Sequence, residues 1–433
     1  MKMLIRGADI LTCAAPGECF RNGYMVVENG KITYVGTDAK QADGTFDRVI
    51  EAQNQILMPG LVNTHTHVAM TGMRGYADDY VLQTWLNDYI FPVEDRMDAE
   101  CVAISAQLGM AEMIATGTTS FSDMYSFCDG IAQAAADCGL KANISRGIVC
   151  PDDAPFCDSD RWKEAVELYD RWNGYDDGRI LIDFSVHAEY TTNTACRETV
   201  AAYAADKQAH VHFHLSETKQ EQEACLARHG VTPAQLFYRE GLLNDRALAA
   251  HCVWLTEEDM ALFAQTGASV AHCPVSNLKL ASGIAPITAM DQAGINLSLG
   301  TDGVASNNNH DLFEEIKLAS ILQKGVTYNP EVFPAGKTLA MATMQGALAQ
   351  GRRNCGVLRA GMDADFILLN TKQPSLQPYH APDSACAYSA HGADVCMTVV
   401  RGRVLYENGE FLTLDREKIR ADFDRLVRPI MFP

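Results

Sequence analysis

No stretch of this 433-residue sequence approaches the ~18 consecutive apolar residues that would cross a bilayer. The opening residues, Met1 to Asp9, interrupt their apolar positions with Arg6 and Asp9, so no signal peptide is expected there. Cys-x-x-Cys is missing as well. The 14 cysteines are scattered, which predicts buried reduced thiols and a cytoplasmic protein. Positive charge is short: 35 Lys and Arg against 55 Asp and Glu leave −20, a balance that repels phosphate backbones and anionic lipid. Nucleic acid and membranes are therefore poor partners, and the charge is read as solubility. No Gly-x-Gly-x-x-Gly follows an early strand, which argues against a dinucleotide-binding, doubly wound sheet.

What the chain does hold suits one large barrel with a smaller companion. Residues 1–56 read as short strands and turns, with Tyr24-Met25-Val26-Val27 and Ile32-Thr33-Tyr34-Val35 flanking Glu28-Asn29-Gly30-Lys31. Asn-Gly between two such runs predicts a hairpin. Residues 351–433 repeat the pattern at 365–369, 395–400 and 404–406, with a turn at Arg401-Gly402. The two ends are expected to build one small β-sandwich. Between them, residues 57–350 alternate strand-like runs with helical ones such as 99–115 and 197–205. Eight strands are predicted to end near His67, Asp123, Arg146, His187, His214, His251, His272 and Asp302. The predicted class is α/β, a (β/α)8 TIM barrel whose catalytic groups gather at the C-terminal strand ends.

The most informative run is Pro59-Gly60-Leu61-Val62-Asn63-Thr64-His65-Thr66-His67. Strand side chains alternate faces, so His65 and His67 can offer two imidazoles on one side, as a metal requires. The fifth strand carries His210, His212 and His214 on one face. His214 is expected at the barrel mouth as a third ligand, with His210 and His212 deeper, packed and hydrogen-bonded. Glu217 falls in the following loop, where its carboxylate can reach substrate beside the metal. Strand eight ends in Gly300-Thr301-Asp302-Gly303, placing a carboxylate that can ligate the metal and take a proton from bound water. Three imidazoles, one carboxylate and a position left for water form a catalytic rather than a structural zinc site. Such a metal makes hydroxide available near neutrality.

Further along, the matches become ordered and specific. Gly72-Met73-Arg74-Gly75-Tyr76-Ala77-Asp78-Asp79, Phe91-Pro92-Val93-Glu94, His214-Leu215-Ser216-Glu217-Thr218 and Ala250-His251-Cys252 occur in turn. They are followed by His272-Cys273-Pro274-Val275-Ser276-Asn277, Lys279-Leu280-Ala281-Ser282-Gly283, Gly300 to Gly303 and Ala360-Gly361-Met362-Asp363-Ala364-Asp365. Nearly end to end, the chain resembles the amidohydrolase superfamily, in particular its 5-methylthioadenosine/S-adenosylhomocysteine deaminase branch. The resemblance implies that His65, His67, His214 and Asp302 hold the metal and that Glu217 shuttles a proton to the purine ring. It also implies that Glu94, Arg146 and His187 contact substrate, while His251 orients the hydroxide and stabilises charge. The fourth strand ends in Val186-His187-Ala188-Glu189, without the lysine that bridges two metals in binuclear relatives. One divalent ion per chain is expected: zinc first, with Fe2+ or Mn2+ as alternatives, since imidazole suits all three.

The resemblance implies hydrolytic deamination of an adenine nucleoside to its inosine analogue and ammonia. S-adenosylhomocysteine, methylthioadenosine, adenosine and 5′-deoxyadenosine are not ranked by the sequence. The partner is thus a small purine nucleoside; whether copies of the chain form a homo-oligomer is open. The alternative keeps the metal and takes guanine, a pterin or an aminated triazine, and Glu217 favours loss of an amine in either case. A dead scaffold is disfavoured because all four ligands are present. Glu94 can accept hydrogen bonds from ribose 2′ and 3′ hydroxyls, against the reading of an exposed helix-start glutamate after Pro92. Trp85, in the loop 72–94, is read as a core aromatic or as a lid over the substrate. His187-Ala188-Glu189 lacks the Pro-Cys-x-x-Cys half of a nucleobase-deaminase zinc signature. The glycosylation patterns at Asn143 and Asn296 fall in predicted strands, and His229, His310, His380 and His391 have no motif context.

Overall fold

The computed structural model describes residues 1–151, 156 and 159–433. Five strands open the chain: β1 (Lys2–Leu11), β2 (Cys19–Glu28), β3 (Lys31–Gly36), β4 (Arg48–Glu51) and β5 (Gln55–Pro59). Eight follow in the middle: β6 (Leu61–Thr66), β7 (Thr118–Tyr125), β8 (Lys141–Arg146), β9 (Ile180–Ser185), β10 (Val211–Leu215), β11 (Ala247–His251), β12 (Ser269–His272) and β13 (Asn296–Leu299). The last four are β14 (Phe366–Asn370), β15 (Val395–Val400), β16 (Arg403–Glu407) and β17 (Glu410–Phe411).

Strands β6 to β13 form one parallel sheet in sequence order. It curls shut where Asp302 N donates to His65 O at 2.9 Å and Thr64 Oγ1 to Leu299 O at 2.8 Å. That approach needs Gly300, since a Cβ there would lie 2.7 Å from the Cβ of His65. Every residue of β6, β7, β10, β11 and β12 is buried, as parallel strands covered on both sides require. The eight predicted strand ends coincide with these strands or lie within three residues beyond them.

The termini meet as expected, and hydrogen bonding makes them one continuous mixed sheet in the order β17-β16-β15-β14-β5-β1-β2-β3, with β4 beside β1. The two ends thus build the one small β domain expected of them, around its own core of Met3, Ile5, Ile10, Val27, Leu57, Leu368 and Val399. Asn29 and Gly30 both have positive φ, as do Arg401 and Gly402, so these two hairpins turn in the primed sense that matches strand twist. Gly60, between β5 and β6, carries the chain from this sheet into the barrel.

Of the thirteen described cysteines ten are buried and Cys13, Cys19 and Cys396 are half-buried, while Cys157 lies outside the described residues. Asn143 is buried and donates to Asp183, consistent with a barrel-interior strand. Among the described residues, no helix is long and apolar enough to cross a membrane.

Candidate active site

The barrel strands deliver the candidate residues to one mouth. His65 sits in β6 with His67 just past its end, His214 in β10, and His251 closes β11. Asp302 stands three residues beyond β13, and Arg146 ends β8. Ser216, His251 and Asp302 all adopt positive φ, a conformation that costs a non-glycine residue energy and persists where surrounding structure enforces it.

The imidazoles converge. His67 Nε2 lies 3.2 Å from His214 Nε2, and Asp302 Oδ1 lies 3.4 Å from His65 Nε2 and 3.3 Å from His67 Nε2. The tautomers follow from what the other ring nitrogens touch. His67 Nδ1 is 2.6 Å from Met124 O and His214 Nδ1 is 2.7 Å from His187 O. A carbonyl only accepts, so both Nδ1 atoms carry protons, and in neutral rings both Nε2 atoms present lone pairs to each other. Two facing lone pairs are not a hydrogen bond; they need a cation between them. His65 Nε2 is buried, with Asp302 Oδ1 its nearest polar neighbour and no well-formed hydrogen bond among the described residues, and joins the same cluster. Burial pushes the His65 imidazole down to about 4 and that of His214 well below its ordinary value, so both are neutral and ready to ligate. The donor set of His65, His67, His214 and Asp302 therefore fits a divalent transition ion.

Asp302 is held from its other side. Its Oδ2 accepts from Ser276 Oγ at 2.6 Å and Ser306 Oγ at 3.1 Å, and Oδ1 accepts from Gly303 N at 2.8 Å. Burial opposes its charge, but the His65, His67 and His251 rings hold the carboxyl well below the usual range. His251 donates from Nδ1 to Asn277 Oδ1 at 2.9 Å and turns Nε2 toward Glu217 Oε2, 3.9 Å away. Burial opposes its charge too, yet Glu217 and Asp302 raise it. Glu217 is raised by burial, and Ser282 Oγ donates to its Oε1 at 3.2 Å. Two buried carboxyls in one site are thus pushed in opposite directions.

Above this floor opens a cavity of about 540 Å³. His67, His214, Glu217, His251 and Asp302 reach it, whereas His65 is sealed beneath. Glu94, Arg146 and His187 stand in its walls. Glu94 closes the short helix Phe91–Glu94 and is half-buried rather than exposed. Its Oε1 is shut off from solvent with no partner among the described residues, and burial raises its carboxyl against the opposing Tyr125 hydroxyl. His187 bonds Thr191 Oγ1 at 3.1 Å, and burial pushes it down to about 3. Arg146 is already engaged, donating from Nε to Glu164 Oε2 at 2.5 Å and from Nη1 to Gly147 O at 2.6 Å. Trp85 is buried in the apolar cluster with Leu86 and Ile90 and also lines the cavity.

Residues without a role in the sequence reading complete the site. His212, expected deeper in the barrel, bonds His65 directly. Ser276, Asn277 and Ser282 lie in the recognised motifs, but only the fold shows which acidic or imidazole group each one grips. Ser306 and Glu221 had no motif context. Of the unplaced histidines, His310 is buried between Thr71 and Thr301, and His229 bonds Glu189.

Residues 56–405 match the amidohydrolase family profile. A 5-methylthioadenosine/S-adenosylhomocysteine deaminase of Moorella thermoacetica is 40% identical over 422 residues, 97% of each chain. A 5′-deoxyadenosine deaminase of Methanosarcina acetivorans is 42% identical over 417 residues, 96% of this chain and 95% of the relative. The crystal structure of an adenosine deaminase from Xanthomonas campestris with bound zinc superposes with a TM-score of 0.94 at 35% identity, covering 99% of this chain and 98% of that one. The barrel, the clustered histidines with their aspartate, and similarity over almost the whole length agree that the chain belongs to the amidohydrolase family.

Proposed function

We propose that the protein hydrolyses the 6-amino group of an adenine nucleoside modified at the 5′ position, consuming water and releasing ammonia and the inosine analogue. The observation that carries this reading is Glu217: a buried carboxyl raised toward its acid form, 3.9 Å from His251, on the floor of the cavity that also holds the metal-fitting cluster. Loss of an amine demands such a proton donor. His65, His67, His214 and Asp302 would hold one ion per chain, zinc by preference, and the bound ion would supply water of lowered pKa.

The protein groups then divide the proton work. Asp302, held ionised and pinned by Ser276 and Ser306, accepts a proton from the attacking water. Glu217 in its acid form protonates the ring nitrogen beside C6, and His251, fixed by Asn277, faces the charge that develops there. The water oxygen bonds to C6; the proton held by Asp302 then passes to the amine, which leaves as ammonia when the C6–N bond breaks, and the remaining hydroxyl proton returns to Glu217 as the C6 carbonyl forms. Keeping one carboxyl acidic and another basic in one site is how such chemistry runs near neutrality. The buried Oε1 of Glu94, without a hydrogen-bond partner among the described residues, favours a ribose over the free bases, pterins and triazines that the same metal site could serve. Arg146 and His187 are assigned to the substrate's remaining polar groups.

The test is ammonia release from a panel of adenine nucleosides, free purines, a pterin and an aminated triazine, at defined metal loading. A 5′-substituted adenosine should be turned over most efficiently. Preference for any free base or pterin over every nucleoside would overturn the assignment.

A further inference from the structure

Glu221 is a buried carboxylate that contacts neither the cavity nor the metal-fitting histidines. Its Oε1 accepts from Ser216 N at 2.8 Å and its Oε2 from Glu217 N at 2.8 Å. Ser216 has φ of 49°, a left-handed turn that swings two successive amides into one concavity able to hold an anion. Helix capping does not explain the contact. Thr218 is the N-cap of the helix Lys219–His229 and its hydroxyl already accepts from Glu221 N. An N3 glutamate usually returns to the N-cap amide, whereas this one reaches past it to the two preceding residues. The Ser216 hydroxyl is tied separately, to Gln222 Oε1 at 2.9 Å.

We infer that Glu221 is a positioning residue for the proton shuttle: by clamping the amides of Ser216 and Glu217 it holds the strained turn that aims the Glu217 carboxyl at His251 and the substrate. Ser282 fixes the far end of the same side chain, so Glu217 is gripped at backbone and tip. A lax turn would leave the carboxyl in place on average but misaimed, and small misplacements of reacting groups are costly to rate. The inference rests on the role proposed above for Glu217.

A double-mutant cycle on the metal-loaded enzyme tests it. Glu221→Gln puts an amide NH2 against one of the two N–H donors while keeping the shape. In the wild-type background it should lower kcat about tenfold or more, with KM and metal content near wild type. In a Glu217→Gln background the same change should cost less than about twofold, because the group it serves is gone. Equal losses in both backgrounds would show that Glu221 does not act through Glu217 and would overturn the inference. Should Glu221→Gln fail to fold, Glu221→Asp, which is one methylene too short to span both amides, takes its place in the cycle. Full activity of Glu217→Gln by itself would instead refute the proposed proton shuttle, and the role of Glu221 with it.

Discussion

His65 Nδ1 lies 2.9 Å from His212 Nε2, so one buried imidazole orients another. The other two metal-fitting histidines are fixed by backbone carbonyls, which no substitution can delete. His65 is the exception: its orientation depends on a side chain. Removing such a partner of a metal ligand typically costs ~10–100-fold in metal affinity. His212→Ala should therefore weaken metal binding by about that factor in a chelator competition assay. Unchanged affinity would mean that the strand backbone alone orients His65.

Glu217 predicts a pH dependence. Burial raises its carboxyl above the ordinary value, so the acid form persists to higher pH than for a free glutamate. A general acid works while protonated; kcat/KM should fall as pH rises through that raised pKa, and the limb should vanish in Glu217→Gln. General acid–base groups supply ~10²–10⁴-fold, and the variant should lose at least the lower figure on an amine-bearing substrate. The same alkaline limb in wild type and variant would assign the titration to another group.

Glu94 should separate nucleosides from bases. Hydrogen bonds to a charged group are worth ~1.5–3 kcal/mol each, so Glu94→Ala should lower kcat/KM for adenosine-type substrates at least tenfold. Analogues without the 2′ and 3′ hydroxyls should respond little. Equal losses on both would remove Glu94 from ribose recognition.

Lys141 makes a prediction about stability rather than rate. Its ammonium, 2% exposed, pairs with Asp363 and Asp365 and so ties barrel strand β8 to the segment entering β14. Lys141→Met would leave the buried Asp365 without its counter-ion and Asp363 with only the half-exposed Lys31 ammonium, a loss of ~3–5 kcal/mol for breaking a buried pair from one side. Denaturant unfolding should show it while turnover per folded molecule stays near wild type. A variant as stable as the wild type would reduce the cluster to an incidental contact.

The strand ends were legible because parallel βα repeats write themselves locally, as apolar runs closed by His67, His214 or Asp302. Asn29-Gly30 and Arg401-Gly402 were equally readable, since the residues themselves select the turn. The supporting contacts were not. The bond between His65 and His212 depends on how β6 and β10 are aimed across the barrel, and no spacing along one strand encodes that. Glu221 looks in sequence like any first-turn helix glutamate; only the left-handed Ser216 shows that it reaches backward. The Glu164 that occupies Arg146 lies on the next helix, and its facing is likewise set by packing. How the two termini join turns on the pairing of β5 with β14, a partnership between distant segments.

That pairing sets an order of events during synthesis. Strand β5 leaves the ribosome immediately before the first barrel strand, yet Pro59 to Gln55 pair with Phe366 to Asn370, which appear only after all eight barrel strands have been made. In the interval Ile56, Leu57 and Met58 present an apolar strand with one edge bare, the kind of edge that recruits other chains. The C-terminal segment therefore acts as a guard against self-association as well as a structural strut. A chain stopped before Phe366 should scatter light as it refolds, even though every residue of the active site is present.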